Sequence, residues 1–288
     1  MNQITLRAAA KLNFTLDITG LRSDGYHLLQ MVMQTVSLYD TVDIRKADQI
    51  SLEAEELATP ENLVWKAANV FFSHTGIQGG AAIRLEKKIP SQAGLAGGSA
   101  DAAAVLHGLN HLYETHLSLP ELRQIGLPLG ADIPYCLTGG TAMVEGIGEK
   151  IFPTPQMRKG AVVIIKPEWG VSTAAAFRAF DSGMPVERPD SYRVVDCLMK
   201  SHLEELAPHM RNVLEQASDR LPEIRKICRR LTESGAFAAQ MTGSGSAVFG
   251  VFPDMQAAQA CAQKIALPGE QVFAAEPVPT GVEILSME

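Results

Sequence analysis

The chain has 288 residues, of which 46% are hydrophobic, 20% charged and 6% aromatic. This globular composition excludes a disordered, collagen-like or low-complexity protein and leaves room for one large domain or two ordinary ones. The 32 acidic residues outnumber the 25 basic ones, and the resulting net charge of -7 argues against broad binding to nucleic acid or to an anionic membrane.

The cysteines and the apolar segments indicate where the protein works. No CxxC pair occurs, so neither a zinc cage nor a disulfide framework is supported by the four cysteines, Cys136, Cys197, Cys228 and Cys261. The first residues lack the apolar region of a signal peptide, and no run approaches the roughly 18 apolar residues of a membrane span. We therefore expect a cytoplasmic protein with free thiols.

The first third of the chain reads as mixed α and β structure. Polar and apolar residues alternate from Leu6 to Ile18, which predicts a strand, and the glycines of residues 20–25 predict a turn after it. Residues 27–44 are rich in β-branched side chains and predict more sheet. Pro60 precedes a helical pattern that runs to Phe72.

A glycine-rich loop between a short strand and a helix is the strongest local signal. The strand is predicted around residues 82–85 and the helix ends near Tyr113, with an amphipathic apolar stripe. That stripe consists of Ala102, Val105, Leu106, Leu109 and Leu112. A short helix after Pro120, a turn at residues 130–134 and a strand pair at residues 141–152 follow.

The second half predicts the order strand, helix, strand, strand, helix, strand. The buried-strand pattern at residues 161–166 opens it, and residues 173–180 predict a helix and residues 187–191 a loop. Pro222 and Gly235 bracket one helix of the order above, and Asp254 caps the other. Short strands at residues 237–240 and 247–252 flank a second glycine-rich turn, and the last predicted strand ends near Pro277. This order is that of a split βαβ unit.

The loop before the first long helix has the chemistry of a phosphate site. A glycine-rich turn that leads into a helix directs several backbone N–H groups and the positive end of the helix dipole at one anion. Gly94, Gly97 and Gly98 let the backbone approach it, and the Ser99 hydroxyl can donate to phosphate or join a magnesium shell. An ordinary glycine-rich helix start remains the alternative.

Several common enzyme motifs are missing. The sequence contains no GxxxxGK[ST], no HExxH and no GxSxG, and its two GxG triplets lack the third glycine of GxGxxG. A Walker ATPase, a Rossmann dehydrogenase, a zincin and a nucleophile-elbow hydrolase are therefore disfavoured. His107 and His111 share a helix face, but without an acidic third ligand nearby they are expected to be packing or solvated residues.

The glycine-rich loop resembles the phosphate-binding signature of the small-molecule kinases grouped as galactokinase, homoserine kinase, mevalonate kinase and phosphomevalonate kinase. Ala96 and Ala100 stand where that signature usually has Gly and a second Ser. The resemblance implies that ATP is bound by Pro90, Ser91, Gln92, Ala93, Gly94, Leu95, Ala96, Gly97, Gly98, Ser99 and Ala100. Residues 242–249 resemble the third motif of the same superfamily, a turn that closes on the active site.

Three further segments, at residues 10–16, 22–29 and 129–134, resemble the branch of this superfamily that acts on a cytidyl diphosphate substrate. The resemblance implies that Asp132 accepts the proton of the substrate hydroxyl beside Lys11, and that Asn13, Tyr26 and His27 bind the substrate. A turn aspartate and an exposed strand lysine are the alternatives for the first two. Asn62 and Lys88 are weaker candidates for contacts with ATP.

What the resemblance implies as a whole is a two-domain α+β kinase. Residues 1–157 would form a ribosomal-S5-like domain that binds ATP, residues 158–288 a ferredoxin-like domain, and the active site would lie in the cleft between them. Magnesium is expected with the nucleotide. The implied reaction is phosphorylation of the 2-hydroxyl of 4-diphosphocytidyl-2-C-methyl-D-erythritol, a step of the non-mevalonate route to isoprenoids. The rivals are a superfamily kinase for homoserine, mevalonate or a sugar, and a non-catalytic RNA-binding relative of the S5-like half.

Overall fold

The computed structural model of the protein describes residues 2–54, 59, 61–183 and 186–288. Its strands, in chain order, are β1 Gln3–Leu21, β2 His27–Ala47, β3 Ser51–Glu53, β4 Gly80–Glu86, β5 Thr141–Gly146, β6 Lys150–Pro153, β7 Ala161–Lys166, β8 Ala238–Met241, β9 Val248–Phe252, β10 Gln271–Ala275 and β11 Val282–Met287. Its helices are α1 Leu63–Thr75, α2 Gly97–Leu112, α3 Leu119–Gly126, α4 Ile133–Thr138, α5 Thr173–Asp181, α6 Ser191–Lys200, α7 Val213–Gln216, α8 Leu221–Glu233 and α9 Met255–Ile265, with a 3-10 turn at Leu203–Glu205.

The first sheet is built around the long β1–β2 hairpin. Its order is β11-β1-β2-β4-β3, and β5 extends it by pairing with both β2 and β6. All of these pairs are antiparallel except β3 with β4. The helices α1 and α2 cover one end of this sheet, where a buried cluster joins Ile4, Leu6, Val42 and Ile44 to the apolar face of α2.

The apolar stripe predicted for α2 is confirmed, because all five of its residues are fully buried. Helix α1 begins after Asn62, whose side chain accepts a hydrogen bond from the Val64 N–H, and ends at Gly76 in the left-handed conformation. The predicted start of this helix at Pro60 lies outside the described residues. Helix α2 has no side-chain cap at its start and follows directly on the glycine-rich loop.

The second sheet has the order β10-β7-β9-β8 and all its pairs are antiparallel. Together with α8 and α9 it forms the predicted strand-helix-strand-strand-helix-strand unit, in the strand order of a ferredoxin-like fold. Apolar residues of α8 and α9 pack on this sheet, among them Ile224, Leu231 and Ala258 against Val163 and Phe252. The predicted α+β fold with two sheets is confirmed.

Some local predictions are wrong. The turn predicted at residues 130–134 continues into α4, since proline is tolerated in the first turn of a helix. The loop predicted through Ser191 ends one residue earlier, because Asp190 caps α6 by accepting from the Arg193 N–H. Strands β3 and β11 and helices α6 and α7 were not predicted.

Strand β11 returns to the first sheet from the end of the chain. It pairs with β1, so the segment that follows β10 joins the sheet of the first half. The division at residue 157 stays a prediction. In the described residues no helix has the length and apolar character that crossing a lipid bilayer requires.

Candidate active site

One cavity collects the segments that carry the sequence motifs. Its volume is about 1110 Å3, and it is lined by β1, the glycine-rich loop, the residue before α4, helix α5 and the turn between β8 and β9. Among its lining residues are Lys11, Asn13, Tyr26, His27, Lys87, Ser99, Asp132, Thr173, Phe177, Asp181 and Ser244. The fold therefore brings together positions that lie up to about 230 residues apart along the chain.

The glycine-rich loop reaches the start of α2 through backbone angles that favour glycine. Gln92, Gly94 and Ala96 have φ values of 51°, 74° and 58°, and α2 begins at Gly97. The first N–H groups of a helix have no acceptor within the helix, so those of Gly97, Gly98 and Ser99 are available at the cavity. Together with the helix dipole they form a site for an anion.

The turn at residues 242–246 closes on this loop. The Ala247 N–H donates to the Ala93 carbonyl over 3.1 Å, and a Cβ atom on Gly94 would lie only 2.2 Å from the Thr242 carbonyl oxygen. A side chain at position 94 would therefore push the two loops apart. Glycine is required there both for the positive φ and for this close approach.

Lys11 and Asp132 meet at the floor of the cavity. The Lys11 ammonium is buried, donates to Asn13 Oδ1 over 2.7 Å and lies 3.7 Å from Asp132 Oδ2. Asp132 precedes α4 but makes no side-chain capping bond, and its side chain is 34% exposed. Its carboxylate is thus not used by the helix and faces the cavity beside a cation.

Asn13 links this pair to the closing turn. Its backbone N–H donates to Thr242 Oγ1 over 3.0 Å, and its fully buried amide donates to Met31 Sδ over 3.3 Å. Because the amide oxygen already accepts from Lys11, the position of the Lys11 ammonium depends on Asn13. Asn13 is a residue that holds the lysine in place as well as one that lines the cavity.

A second buried charge cluster lies under the start of α2. The Lys87 ammonium donates to Asp40 and, over 2.6 Å, to Asp101 Oδ2. Asp40 is fully buried and also accepts from the N–H groups of Lys88 and Ile89 at 2.5 and 2.8 Å. Asp101 has a second oxygen, Oδ1, that is buried without a hydrogen-bond partner.

Burial sets the charges of this cluster. It raises the pKa of Asp101 well above its usual range, an effect that Lys87 opposes and Asp40 reinforces. Burial alone would lower the pKa of Lys87, but the two neighbouring carboxylates raise it, and the ammonium stays charged. Lys87 thereby keeps a fixed positive charge at the edge of the cavity.

The substrate-binding candidates Tyr26 and His27 line the cavity where the turn between β1 and β2 meets β2. The Tyr26 side chain is exposed, whereas the His27 ring stacks on Phe177 with centroids 4.8 Å apart and planes at 26°. His27 Nε2 lies 2.8 Å from Asp181 Oδ1. Helix α5 therefore contributes one side of the cavity here.

The structure places all but one of the predicted site residues on this cavity. Ala100 is fully buried within α2 and does not line it. Of the weaker candidates, Asn62 caps α1, and Lys88 has a largely exposed side chain 3.4 Å from Glu86. His107 and His111 contact each other on α2, away from the cavity lining.

Lys87 and the place of α5 beside the cavity were not predicted from the sequence. The burial alternation of β4, in which Ala81, Ile83 and Leu85 face the core, carries on to Lys87 and leaves Lys88 outside. That alternation could have identified the inward lysine. No comparable pattern indicates which side chains of α5 face the cavity, because the cavity is formed by segments that are distant in sequence.

Comparisons with known proteins show which family the chain belongs to. The model of the GHMP kinases N terminal domain matches residues 62–140, and that of the GHMP kinases C terminal domain matches residues 194–271. A 4-diphosphocytidyl-2-C-methyl-D-erythritol kinase from Carboxydothermus hydrogenoformans is 43% identical over 285 residues, 97% of this chain and 99% of that protein. The chain belongs to this family of GHMP kinases. A relative of the same name from Clostridium tetani is 40% identical over 93% of this chain and 98% of its own length.

Solved structures of GHMP kinases have the same fold. A crystal structure of a 4-(cytidine 5'-diphospho)-2C-methyl-D-erythritol kinase superposes with a TM-score of 0.82 and 31% identity, over 94% of this chain and 98% of that one. Homoserine kinase from Cytophaga hutchinsonii has a TM-score of 0.78 at 20% identity over 99% and 98% of the two chains, a likeness of fold alone. As a member of this family the protein is an ATP-dependent small-molecule kinase.

Proposed function

We propose that the protein transfers the γ-phosphoryl group of ATP to the 2-hydroxyl of 4-diphosphocytidyl-2-C-methyl-D-erythritol, in the synthesis of isoprenoid precursors. The observation that carries this proposal is the meeting of Lys11 and Asp132, 3.7 Å apart, with the α2 N-terminus and the His27 segment on one cavity. The names of relatives that are about 40% identical over most of the chain support the choice of acceptor.

The nucleotide phosphates bind at the glycine-rich loop, residues 90–99, with the first N–H groups of α2 as donors. Lys87 adds a positive charge below them. Ala100 supports this loop by packing inside α2 and makes no contact with phosphate, since it is buried away from the cavity. The acceptor then lies between the predicted parts 1–157 and 158–288, beside Tyr26, His27 and the Phe177 ring that stacks on His27.

Asp132 acts as the general base in this proposal. Its carboxylate takes the proton of the 2-hydroxyl as the oxygen forms its bond to the γ-phosphorus, and the bond from that phosphorus to the oxygen of ADP breaks. The Lys11 ammonium, 3.7 Å from this carboxylate, offsets negative charge on the attacking oxygen. The Lys11 ammonium donates to Asn13 Oδ1, and this hydrogen bond keeps the cation beside the reacting atoms.

Magnesium fits this site as an ion held mainly by the phosphates. The described residues contain no group of three or more His, Cys, Asp or Glu side chains that could hold a metal by themselves. The Ser99 hydroxyl lines the cavity at the start of α2 and is an oxygen ligand of the kind that magnesium prefers. When bound, the ion neutralises phosphate charge that the protein offsets only in part.

The test is a coupled ADP-release assay with ATP and magnesium. The assay compares the cytidyl substrate with homoserine, mevalonate and galactose. It is run on the wild type, on Asp132→Asn and on the control Asp196→Asn, whose carboxylate forms exposed ion pairs on α6. We expect turnover with the cytidyl substrate alone, a loss of kcat of about 10²- to 10⁴-fold in Asp132→Asn, and no loss in the control. Turnover confined to another acceptor, or full activity of Asp132→Asn, would contradict the proposal.

A further inference from the structure

The His27 ring is held on several sides. One face stacks on Phe177 with centroids 4.8 Å apart, and the Phe180 ring meets it edge-on, with centroids 6.4 Å apart and planes at 85°. Only 15% of the His27 side chain is exposed. A ring packed in this way cannot turn over, which would put carbon atoms where Nδ1 and Nε2 lie, without breaking these contacts.

Asp181 determines which His27 nitrogen carries a hydrogen. Its Oδ1 lies 2.8 Å from Nε2, and an ionised carboxylate can only accept, so Nε2 must donate. In the neutral ring the other nitrogen, Nδ1, then has a lone pair and no hydrogen. Nδ1 has no hydrogen-bond partner within the described part of the chain, while His27 itself lines the cavity.

The position of Asp181 is fixed through helix α5. The helix begins at Thr173, whose hydroxyl lies 3.0 Å from that of Ser244 in the closing turn. Near its end the Arg188 guanidinium lies over the Phe180 ring, 5.8 Å from its centroid, and donates to the Ile18 carbonyl of β1 over 2.6 Å. These contacts hold both ends of α5 across the cavity, so the Asp181 carboxylate approaches His27 from a defined direction.

We propose that Asp181 is a positioning residue that selects the base of the substrate by holding His27 with Nδ1 as an acceptor. A cytosine ring carries an exocyclic amino group, which donates a hydrogen bond, whereas uracil carries a carbonyl oxygen at the same place. An acceptor at Nδ1 therefore favours the amino-bearing base and repels the carbonyl. This inference rests on the proposed function, because it assigns a partner to His27 in the recognition of the cytidyl group.

The first measurement observes the ring itself. Nitrogen-15 spectra of the histidine side chains, recorded at pH about 8, above the ordinary histidine pKa, distinguish a nitrogen that carries a hydrogen from one that does not. His27→Gln identifies the signals of His27. We expect Nε2 protonated and Nδ1 unprotonated in the wild type and in Asp196→Asn, and a mixture of both forms in Asp181→Asn, whose amide can donate as well as accept.

The second measurement compares the cytidyl substrate with its uridyl counterpart. For Asp181→Asn and Asp181→Ala we expect the ratio of kcat/KM between the two to fall about tenfold. KM for the cytidyl substrate carries most of the change, since Asp181 does not touch Lys11 or Asp132. Asp181 is half exposed on α5, and thermal unfolding of each variant checks that the fold is kept.

The two measurements separate this inference from the proposed function. A wild type that uses the cytidyl substrate, together with variants that keep both the His27 signals and the base preference, would overturn the role of Asp181 and leave the function intact. A wild type that phosphorylates no cytidyl substrate would overturn the function and the base selection together. In that case unchanged His27 signals in Asp181→Asn would also overturn the inference that Asp181 determines which His27 nitrogen carries the hydrogen.

Discussion

Replacing Lys87 by methionine removes the only cation described between Asp40 and Asp101, and its cost can be worked out from their contacts. Asp40 keeps two backbone donors, the N–H groups of Lys88 and Ile89. Within the described part of the chain, Asp101 is left without a hydrogen-bond donor for either oxygen, because its Oδ1 already has no partner and its Oδ2 loses the bond from Lys87. Breaking a buried ion pair from one side costs about 3 to 5 kcal/mol, which for a chain of this size lowers Tm by on the order of 10 °C.

Calorimetric unfolding at neutral pH measures this loss, and the neighbouring Lys88→Met is the matched control. Lys88 has a largely exposed side chain and a surface pair with Glu86, so its replacement should cost about 0.5 kcal/mol or less. Since the cost falls mainly on Asp101, adding Asp101→Asn to Lys87→Met should restore part of the lost stability. The deficit of Lys87→Met should also shrink as the pH is lowered, because protonation of Asp101, whose pKa burial already raises, removes the uncompensated charge.

Two outcomes would refute this reasoning about the cluster. One is a Lys87→Met variant that unfolds within about 2 °C of the wild type, which would mean that the buried carboxylates do not depend on the ammonium. The other is a double variant that is less stable than Lys87→Met alone. In that case Asp101 would contribute through packing or another partner, and its charge would not be what Lys87 compensates.

Three further predictions concern single residues. Ala96 adopts a left-handed conformation, with φ 58°, which strains alanine but not glycine. Ala96→Gly should therefore raise Tm by about 1 to 3 °C, although glycine has more freedom in the unfolded chain. A lower Tm would contradict this prediction. Burial raises the pKa of Glu215 from 4.5 to about 7, so the folded state binds more protons than the unfolded state in that range. The free energy of unfolding therefore falls by up to about 3 kcal/mol as the pH rises from 4.5 to 7. Glu215→Gln should abolish the accompanying decline of Tm with pH. Burial and His111 lower the pKa of His107 from 6.5 to about 4, so the folded protein loses stability as the pH falls through that range. His107→Gln should therefore flatten the acid side of the same profile of Tm against pH. An unchanged slope would mean that His107 is not the group responsible.

How far the sequence predicts the fold depends on whether the pattern is local. The stripe of α2, the cap at Asp254 and the buried pattern of β7 each specify an element from a few neighbouring residues, and each is found. Strand β11 was missed because its alternation is short, and nothing within it indicates pairing with β1 at the other end of the chain. Pairing over such a distance is decided by the completed core rather than by local preference.

The site follows the same division. The glycine-rich loop and the two charged residues, Lys11 and Asp132, were predicted from motifs, and the structure brings them to one cavity. Lys87 was missed in favour of Lys88, since the choice between adjacent lysines depends on which face of β4 is buried. Helix α5 was predicted as a helix, but its place against His27 depends on tertiary contacts that no segment contains by itself.

The length of the β1–β2 hairpin limits how this enzyme can move. Its residues enter all three buried clusters: Leu6 packs under α2, Phe14 contacts Phe249 of the second sheet, and Met33 packs with Val163. A hinge between the halves would have to bend continuous paired strands in the middle, where Lys11 and Asn13 lie. Opening and closing around substrate should therefore be confined to the loops at the edge of the cavity, while the reacting groups stay on a rigid frame.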